Sequence, residues 1–344
     1  MSSIEGAVVR GAYLRDLLEQ PAAVEATIAA LAVDERLRAI IGRYRGTGYR
    51  RVVLTGMGSS LHALHPLAIR LGAMMVDASE LVHAQAGLLD EDTLVVAVSQ
   101  SGRSAEIVRL VEGTGARRPG ACIGVTNTAD SPLAKKADAV LLTQAGEEAT
   151  VSCKTYVAGL AALAFLADAL TNEETAIGLR EAAPAMRTYL EAWEAHVAEL
   201  GALTVGVRDV FVAGRGTSVA AAGTAGLILK ESTRLHAEGM TSAALRHGPL
   251  EMAADHVFAI VYEGDAAVAA LNAALVTDLR RAGARAELCG PSATRAAMRL
   301  PAVADVARPL LEILPAQMLS LALAAAQGIE AGVFVHATKV TATE

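Results

Sequence analysis

The chain has 344 residues, is 53% hydrophobic with a mean hydropathy of +0.38, and carries a formal net charge of −7. That length suits two domains and leaves ample material for a large core. Aromatics at 3%, a pI near 5.7 and the lack of a basic block argue against a nucleic-acid or anionic-membrane surface.

In chain order, residues 8–45 read as two helices with Pro21 at the break. Arg51–Thr55 is the first clear strand; it runs into Gly56-Met57-Gly58-Ser59-Ser60 and a helix to about Leu71. Met74–Val76 is a short strand. Leu94–Val98 is an apolar strand followed by Ser99-Gln100-Ser101-Gly102-Arg103-Ser104 and a helix. Further strands fall at Ala121–Val125 and Ala139–Leu142, with a short helix opened by Ser131-Pro132 between them. Lys154–Leu170 is a long helix, and 171–205 is a helical connector. The pattern then restarts with a strand at Asp209–Ala213, Gly214-Arg215-Gly216-Thr217-Ser218, and a helix to about Leu235. Val257–Tyr262 and Ala286–Cys289 read as strands, Gln317–Ile329 as a helix, and the tail from Ala337 is polar.

Apolar strands alternating with helices imply a parallel sheet covered on both faces. The apolar stretches Ala158–Leu170 and Ile313–Ile329 read as buried helices rather than membrane spans. Early charges at Glu5, Arg10, Arg15 and Asp16 argue against a signal peptide. Cys122, Cys153 and Cys289 show no metal-ligand spacing and suggest reduced thiols in a cytoplasm. No metal or redox cofactor is implied, because Gly56-x-Gly58 lacks the third glycine of a dinucleotide fingerprint.

Val52–Ser60 aligns without gaps on Val210–Ser218, which points to a duplicated domain. The halves differ at the next strand end. Val98-Ser99-Gln100-Ser101-Gly102 in the first half matches Val261-Tyr262-Glu263-Gly264-Asp265 in the second. Hydroxyls at the start of a helix, where N–H groups lack acceptors and the dipole is positive, favour a phosphate. The plainer alternative is that Ser101 or Ser104 only caps the helix. Acids in the second half would repel phosphate, so one phosphate site per chain is expected, in the first half.

Several motifs occur in a set order: Gly58-Ser59-Ser60, the serine stretch 99–104, Gly146-Glu147-Glu148 with Val151–Tyr156, Gly214-Arg215-Gly216, Leu229-Lys230-Glu231, His236-Ala237-Glu238, Arg246-His247-Gly248-Pro249-Leu250, and Lys339 five residues before Glu344. Together they resemble the sugar isomerase (SIS) family, and more narrowly the isomerase half of glucosamine-6-phosphate synthase and its stand-alone deaminase and deglycase relatives. The resemblance covers about residues 45–344. It implies two tandem SIS-type α/β domains, each a doubly wound parallel sheet in an αβα sandwich. Their limits are 45–171 and 205–336, with N-terminal helices at 1–44, a connector at 172–204 and a tail at 337–344.

The resemblance implies that Gly58, Ser59, Ser60, Ser99, Gln100, Ser101 and Ser104 hold a sugar phosphate. It makes Glu231 the base that moves a proton between C1 and C2, a step that needs one base over both carbons. His247 would assist ring opening from the partner subunit of a homodimer, and Lys339 would meet the open-chain carbonyl. Glu148 and Ser152 would lie near the amino-sugar pocket. Read without the resemblance, Glu231 is a solvated helix charge, His247 a structural loop residue, Lys339 a solvated tail and Glu148 a helix-start acid.

Two positions depart from the synthase pattern. Ile228 stands where that pattern has a second lysine, and Arg103 where an acid is usual, which suggests an altered amine end of the pocket. With no glutaminase half in view, synthesis is not expected. The expected activity is isomerisation and deamination of an amino-sugar 6-phosphate such as glucosamine 6-phosphate, in a cytoplasmic homodimer. A fructosamine-6-phosphate-type deglycase and a non-catalytic sugar-phosphate sensor are the alternatives.

Overall fold

The computed structural model describes residues 9–113, 117–149, 151–341 and 343. The first residues of the expected N-terminal helices, Glu5 and Glu344 lie outside the described residues. The chain divides into two compact units. One comprises residues 22–147, 154–177 and 336–344; the other comprises 1–21, 148–153 and 178–335.

The first of these is built on five parallel strands, β1 (Arg51–Gly56), β2 (Met74–Asp77), β3 (Thr93–Val98), β4 (Ala121–Thr126) and β5 (Ala139–Leu142), in the order β2-β1-β3-β4-β5. Strand β3 is buried along its whole length between β1 and β4. The pleat sends alternate side chains to opposite faces. Val95 and Ala97 therefore join Leu81, Ile107 and Leu133 in one core cluster, while Leu94 and Val96 are buried on the other face. Each such fully buried aliphatic side chain contributes about 1.5–3 kcal/mol. Parallel strands need crossover helices, which is why strand ends and helix starts collect at one edge of the sheet.

The other unit holds β6 (Asp209–Gly214), β7 (His236–Thr241), β8 (Val257–Tyr262) and β9 (Arg285–Cys289), ordered β7-β6-β8-β9 and all parallel. The order repeats the first four strands of the other sheet. The loops repeat too. Gly58 and Gly216 take the same left-handed conformation, with φ of 52° and 58°. Asp77 at the end of β2 and Thr241 at the end of β7 each cap the short helix that follows.

The edge strand β7 is absent from the sequence reading. Its residues His236-Ala237-Glu238-Gly239-Met240-Thr241 are mostly exposed or half-buried, so no apolar run marks it. Other expectations need correction. Among the described residues the N-terminal segment holds helices α1 (Ala12–Leu18), α2 (Gln20–Ala30) and α3 (Glu35–Arg45), where two were expected. One break falls at Glu19, and Pro21 follows it in the first turn of α2, where a missing N–H costs nothing; the other falls between Ala30 and Glu35. The helix expected to run to Leu71 is two, α4 (Gly58–His62) and α5 (His65–Leu71).

Further along the chain come helices α6 (Ala78–His83), α7 (Ala105–Glu112), α8 (Pro132–Lys136), α9 (Lys154–Thr171), α10 (Ala182–Leu190), α11 (Trp193–Leu203), α12 (Val219–Thr233), α13 (Ser242–Arg246), α14 (Ala269–Arg281) and α15 (Arg308–Ala326). Helix α15 begins nine residues before the expected Gln317 and carries Pro315 inside it. Helices α9 and α15 have the length and apolar content of a membrane span, yet 72% and 89% of those windows are buried inside the protein.

Helix α12 packs on β7 through glycines. A Cβ on Gly226 would lie 2.2 Å from the Gly239 nitrogen, so only glycine permits the approach. Against α15, the N-terminal helices add a buried polar ladder. Gln20 and Gln317 exchange amide hydrogen bonds at 2.9 and 3.0 Å, and the Ser320 hydroxyl donates to the Tyr13 hydroxyl at 3.3 Å. Reciprocal pairing satisfies groups that would otherwise be costly to bury.

Candidate active site

The last residues of β1 and β3, Gly56 and Val98, are register partners, so the loops that follow them start side by side. After β3 the chain turns at once. The Ser99 N–H donates to Val125 O at 3.0 Å, and the Gly102 N–H donates to Ser99 O at 3.1 Å. Gly102 has φ of 60°, and a Cβ there would sit 2.2 Å from Ser131 Oγ. Only glycine meets both conditions. The Gln100 carbonyl accepts from the Asn127 N–H at 3.0 Å and from Thr126 Oγ1 at 3.1 Å, which ties the turn to the loop after β4.

The hydroxyls point into the turn rather than capping the helix. Ser104 holds the N-cap position of α7 but makes no side-chain cap bond; its Oγ lies 3.3 Å from Ser99 Oγ. Ser101 Oγ accepts from the Arg103 N–H at 3.2 Å. The first-turn N–H groups of α7 thus keep their positive end open to something other than the capping serine. The Ala105 N–H is claimed by the C-terminal tail: it donates to Thr341 O at 3.1 Å. That contact brings the segment carrying Lys339 to the serine turn, within one unit. Arg103 is exposed and its guanidinium pairs with Asp130 at 3.0 Å. Ser59 is buried and Ser60 half-buried, both in α4.

Glu148, Ser152, Glu231 and His247 belong to the other unit. Glu231 is half-buried near the C-terminal end of α12, the negative end of the helix dipole, where a carboxylate gains nothing locally. Lys230 beside it faces Glu238 at 4.0 Å. Glu148 is 9% exposed, and its Oε1 accepts the Cys153 N–H at 2.8 Å, folding the 148–153 segment on itself. His247 follows α13 and is exposed. Its neighbour Arg246 pairs with Asp278 of α14 at 2.6 Å, and Gly248 then takes φ of 130° ahead of Pro249. The Arg-His-Gly-Pro stretch is therefore an anchored corner that presents the imidazole to solvent.

One residue near this group carries no sequence signal. Tyr13 of α1 is 1% exposed, and burial pushes its hydroxyl pKa far up, with the Cys153 thiol and the Glu231 carboxylate acting in the same direction. It links the 148–153 segment electrostatically to the end of α12. In the sequence it is one aromatic residue in an apolar helix face, indistinguishable from core.

The second-half loop differs as expected, with a one-residue correction in register. Ala97 and Val261 hold matching positions beside Thr55 and Ala213, so Val98 corresponds to Tyr262 and Ser99 to Glu263. The backbone agrees: Glu263 N–H donates to Cys289 O at 2.8 Å, as Ser99 N–H does to Val125 O. The three cysteines are buried, and none is in a disulfide. Among the described residues no group of three His, Cys, Asp or Glu could hold a metal ion.

Comparison with known proteins agrees with the fold. Residues 48–169 match the SIS domain family model. Glutamine–fructose-6-phosphate aminotransferase (isomerizing) from Aeropyrum pernix is 35% identical over 260 residues, covering 70% of this chain and 41% of that protein. The chain spans about half the length of the curated relatives it matches. The C-terminal domain of glucosamine-fructose-6-phosphate aminotransferase from Francisella tularensis superposes with a TM-score of 0.79 at 21% identity, over 94% of this chain and 98% of that one. Glucosamine-6-phosphate deaminase from Thermotoga maritima superposes at 0.73 with 18% identity, over 96% and 99%. At those identities the two structures share the fold.

Proposed function

The chain belongs to the SIS family, and from that premise we propose that it isomerises and deaminates an amino-sugar 6-phosphate, with glucosamine 6-phosphate as the reference substrate. The observation that carries this reading is the Ser99–Ser104 turn, whose N-cap serine leaves the positive end of α7 uncapped. Ser99, Gln100, Ser101 and Ser104, with Gly58, Ser59 and Ser60, are the groups assigned to the phosphate and nearby hydroxyls. His247 assists ring opening. Glu231 takes the C2 proton of the open chain and returns it at C1, turning the 2-amino aldose into a 2-imine. Water then replaces the imine nitrogen, giving the ketose phosphate and ammonia. Lys339, on the tail held at Ala105, meets the open-chain carbonyl, and the tail excludes water while it is docked. Glu148 and Ser152 serve the amino-sugar end. Ile228, in place of a second lysine, supports release of ammonia over synthesis. The working form we propose is a cytoplasmic homodimer in which each exposed His247 serves the partner's site.

A panel of sugar 6-phosphates assayed for ammonia, free amine and ketose tests the reading. Glucosamine 6-phosphate should give ammonia and ketose phosphate in equal amounts, and Glu231→Gln should lower turnover by about 10²–10⁴-fold. Full turnover in that variant on every accepted substrate removes Glu231 as the base. Free amine without ammonia identifies a deglycase, and tight binding with no product identifies a sensor. Mixing Glu231→Gln with His247→Asn chains should restore about a quarter of wild-type activity if the imidazole acts in trans; no recovery argues for action within one chain.

A further inference from the structure

The second sheet carries its own loop cluster, at the ends of β6, β8 and β9, and there the chemistry is inverted. Glu263 stands where the other half has Ser99. Next to it is a cavity of about 110 Å³ lined by Glu263, Gly264, Gly290, Arg308 and Glu312, among others. Glu312, on the first turns of α15, is 1% exposed. Ser218, the counterpart of Ser60, donates to its Oε1 at 2.7 Å, while Oε2 has no hydrogen-bond partner. Burial holds the Glu312 carboxyl up at about 7. The Glu263 carboxylate is fixed by the Ser292 N–H, which donates to its Oε2 at 3.0 Å. Gly290 makes room for it: a Cβ there would lie 2.5 Å from that same oxygen. Arg308 is committed to Asp305 by an ion pair.

We propose that this cavity is a binding site for a small protonated amine, ammonium or a short alkylammonium, held between Glu263 and Glu312. A buried acceptor without a partner is costly, and a ligand bearing N–H donors removes that cost. The balance of charge is acidic: Glu263 and Glu312 line the cavity and Asp265 adds to the field at Glu312, against one guanidinium, Arg308, which acts on Glu312 and is shared with Asp305. Size limits the ligand: at roughly 30 Å³ per water-sized group, the space holds about three or four non-hydrogen atoms. A phosphate is disfavoured by Glu263 and Glu312 themselves. The site lies within one unit and does not depend on the catalytic reading above, so either can fail alone.

The test is titration of the full chain with methylammonium chloride at about pH 8, followed through the amide resonances of Gly264 and Gly290. Potassium chloride, tetramethylammonium chloride and sodium phosphate are the comparison ligands. Saturable shifts with methylammonium, weakened at least about tenfold in both Glu312→Gln and Glu263→Gln and at about pH 6, support the site. Glutamine keeps the shape and the Ser218 bond, and circular dichroism checks that each variant is folded. No saturable shift overturns the proposal. So does equal binding of potassium or phosphate, or an affinity unchanged in both folded variants.

Discussion

The turns after β3 and β8 occupy the same place in two copies of one strand order, yet they suit opposite charges. After β3, Ser99, Ser101 and Ser104 surround a helix start with neutral hydroxyls. After β8, Glu263 and Asp265 take their place, and Ser218, the counterpart of Ser60, is spent on Glu312. Both turns begin with the same hydrogen bond, from the first loop residue to the neighbouring strand, and then diverge: the left-handed residue is Gly102 in the first and Gly264, two positions earlier in register, in the second. The shared strand order therefore puts a loop in the same place twice, and a handful of side chains sets its charge.

Three changes break or sharpen that contrast. Ser99→Glu gives the first turn the acid of the second, and should lower sugar-phosphate affinity by about 10²–10³-fold, because a carboxylate beside a phosphate cannot be compensated there. Calorimetric titration with fructose 6-phosphate measures it, and retained affinity would place the phosphate elsewhere. Glu312→Gln removes the acid that Ser218 holds. The Glu312 carboxyl is raised from 4.5 to about 7, so its neutral form is favoured in the folded state and the native protein loses stability as pH rises through that range. The variant should match wild type near pH 4.5 and exceed it by about 3 kcal/mol at about pH 8.5 without added amine, read from urea unfolding. Gly102→Ala, at φ of 60° and against Ser131, should cost about 2 kcal/mol. Gly72→Ala, at φ of 59° in open space, should cost about half that and serves as its control.

The core strands were legible because burial on both faces writes them as apolar runs: Thr93–Val98 and Val257–Tyr262 are buried throughout. The repeat was legible because glycine is required at Gly58 and Gly216 by the same positive φ. Strand β7 was not, since an edge strand with exposed His236 and Thr241 has no need of such a run. Pro21 marked the break at Glu19 to within two residues, because proline suits the first turn of the helix that follows, whereas the start of α15 was missed: the helix runs through Pro315 from Arg308. The serine turn was visible as a motif, but sequence could not say whether Ser104 caps α7. Its Oγ pairs with Ser99 instead, a choice made by the geometry of the turn. Arg103 stood out as a departure from the family pattern, and its partner Asp130 lies far enough along the chain that only the fold joins them.

Tyr13 and Gln20 precede the matched domain by more than two dozen residues, yet both are buried against α15. A recombinant fragment trimmed to begin at residue 48 would strip that covering, stranding the Gln317 amide and baring an oily flank of the longest helix. Such a fragment should express as aggregate, and anyone dissecting this protein by domain boundaries should cut ahead of α1 rather than behind it.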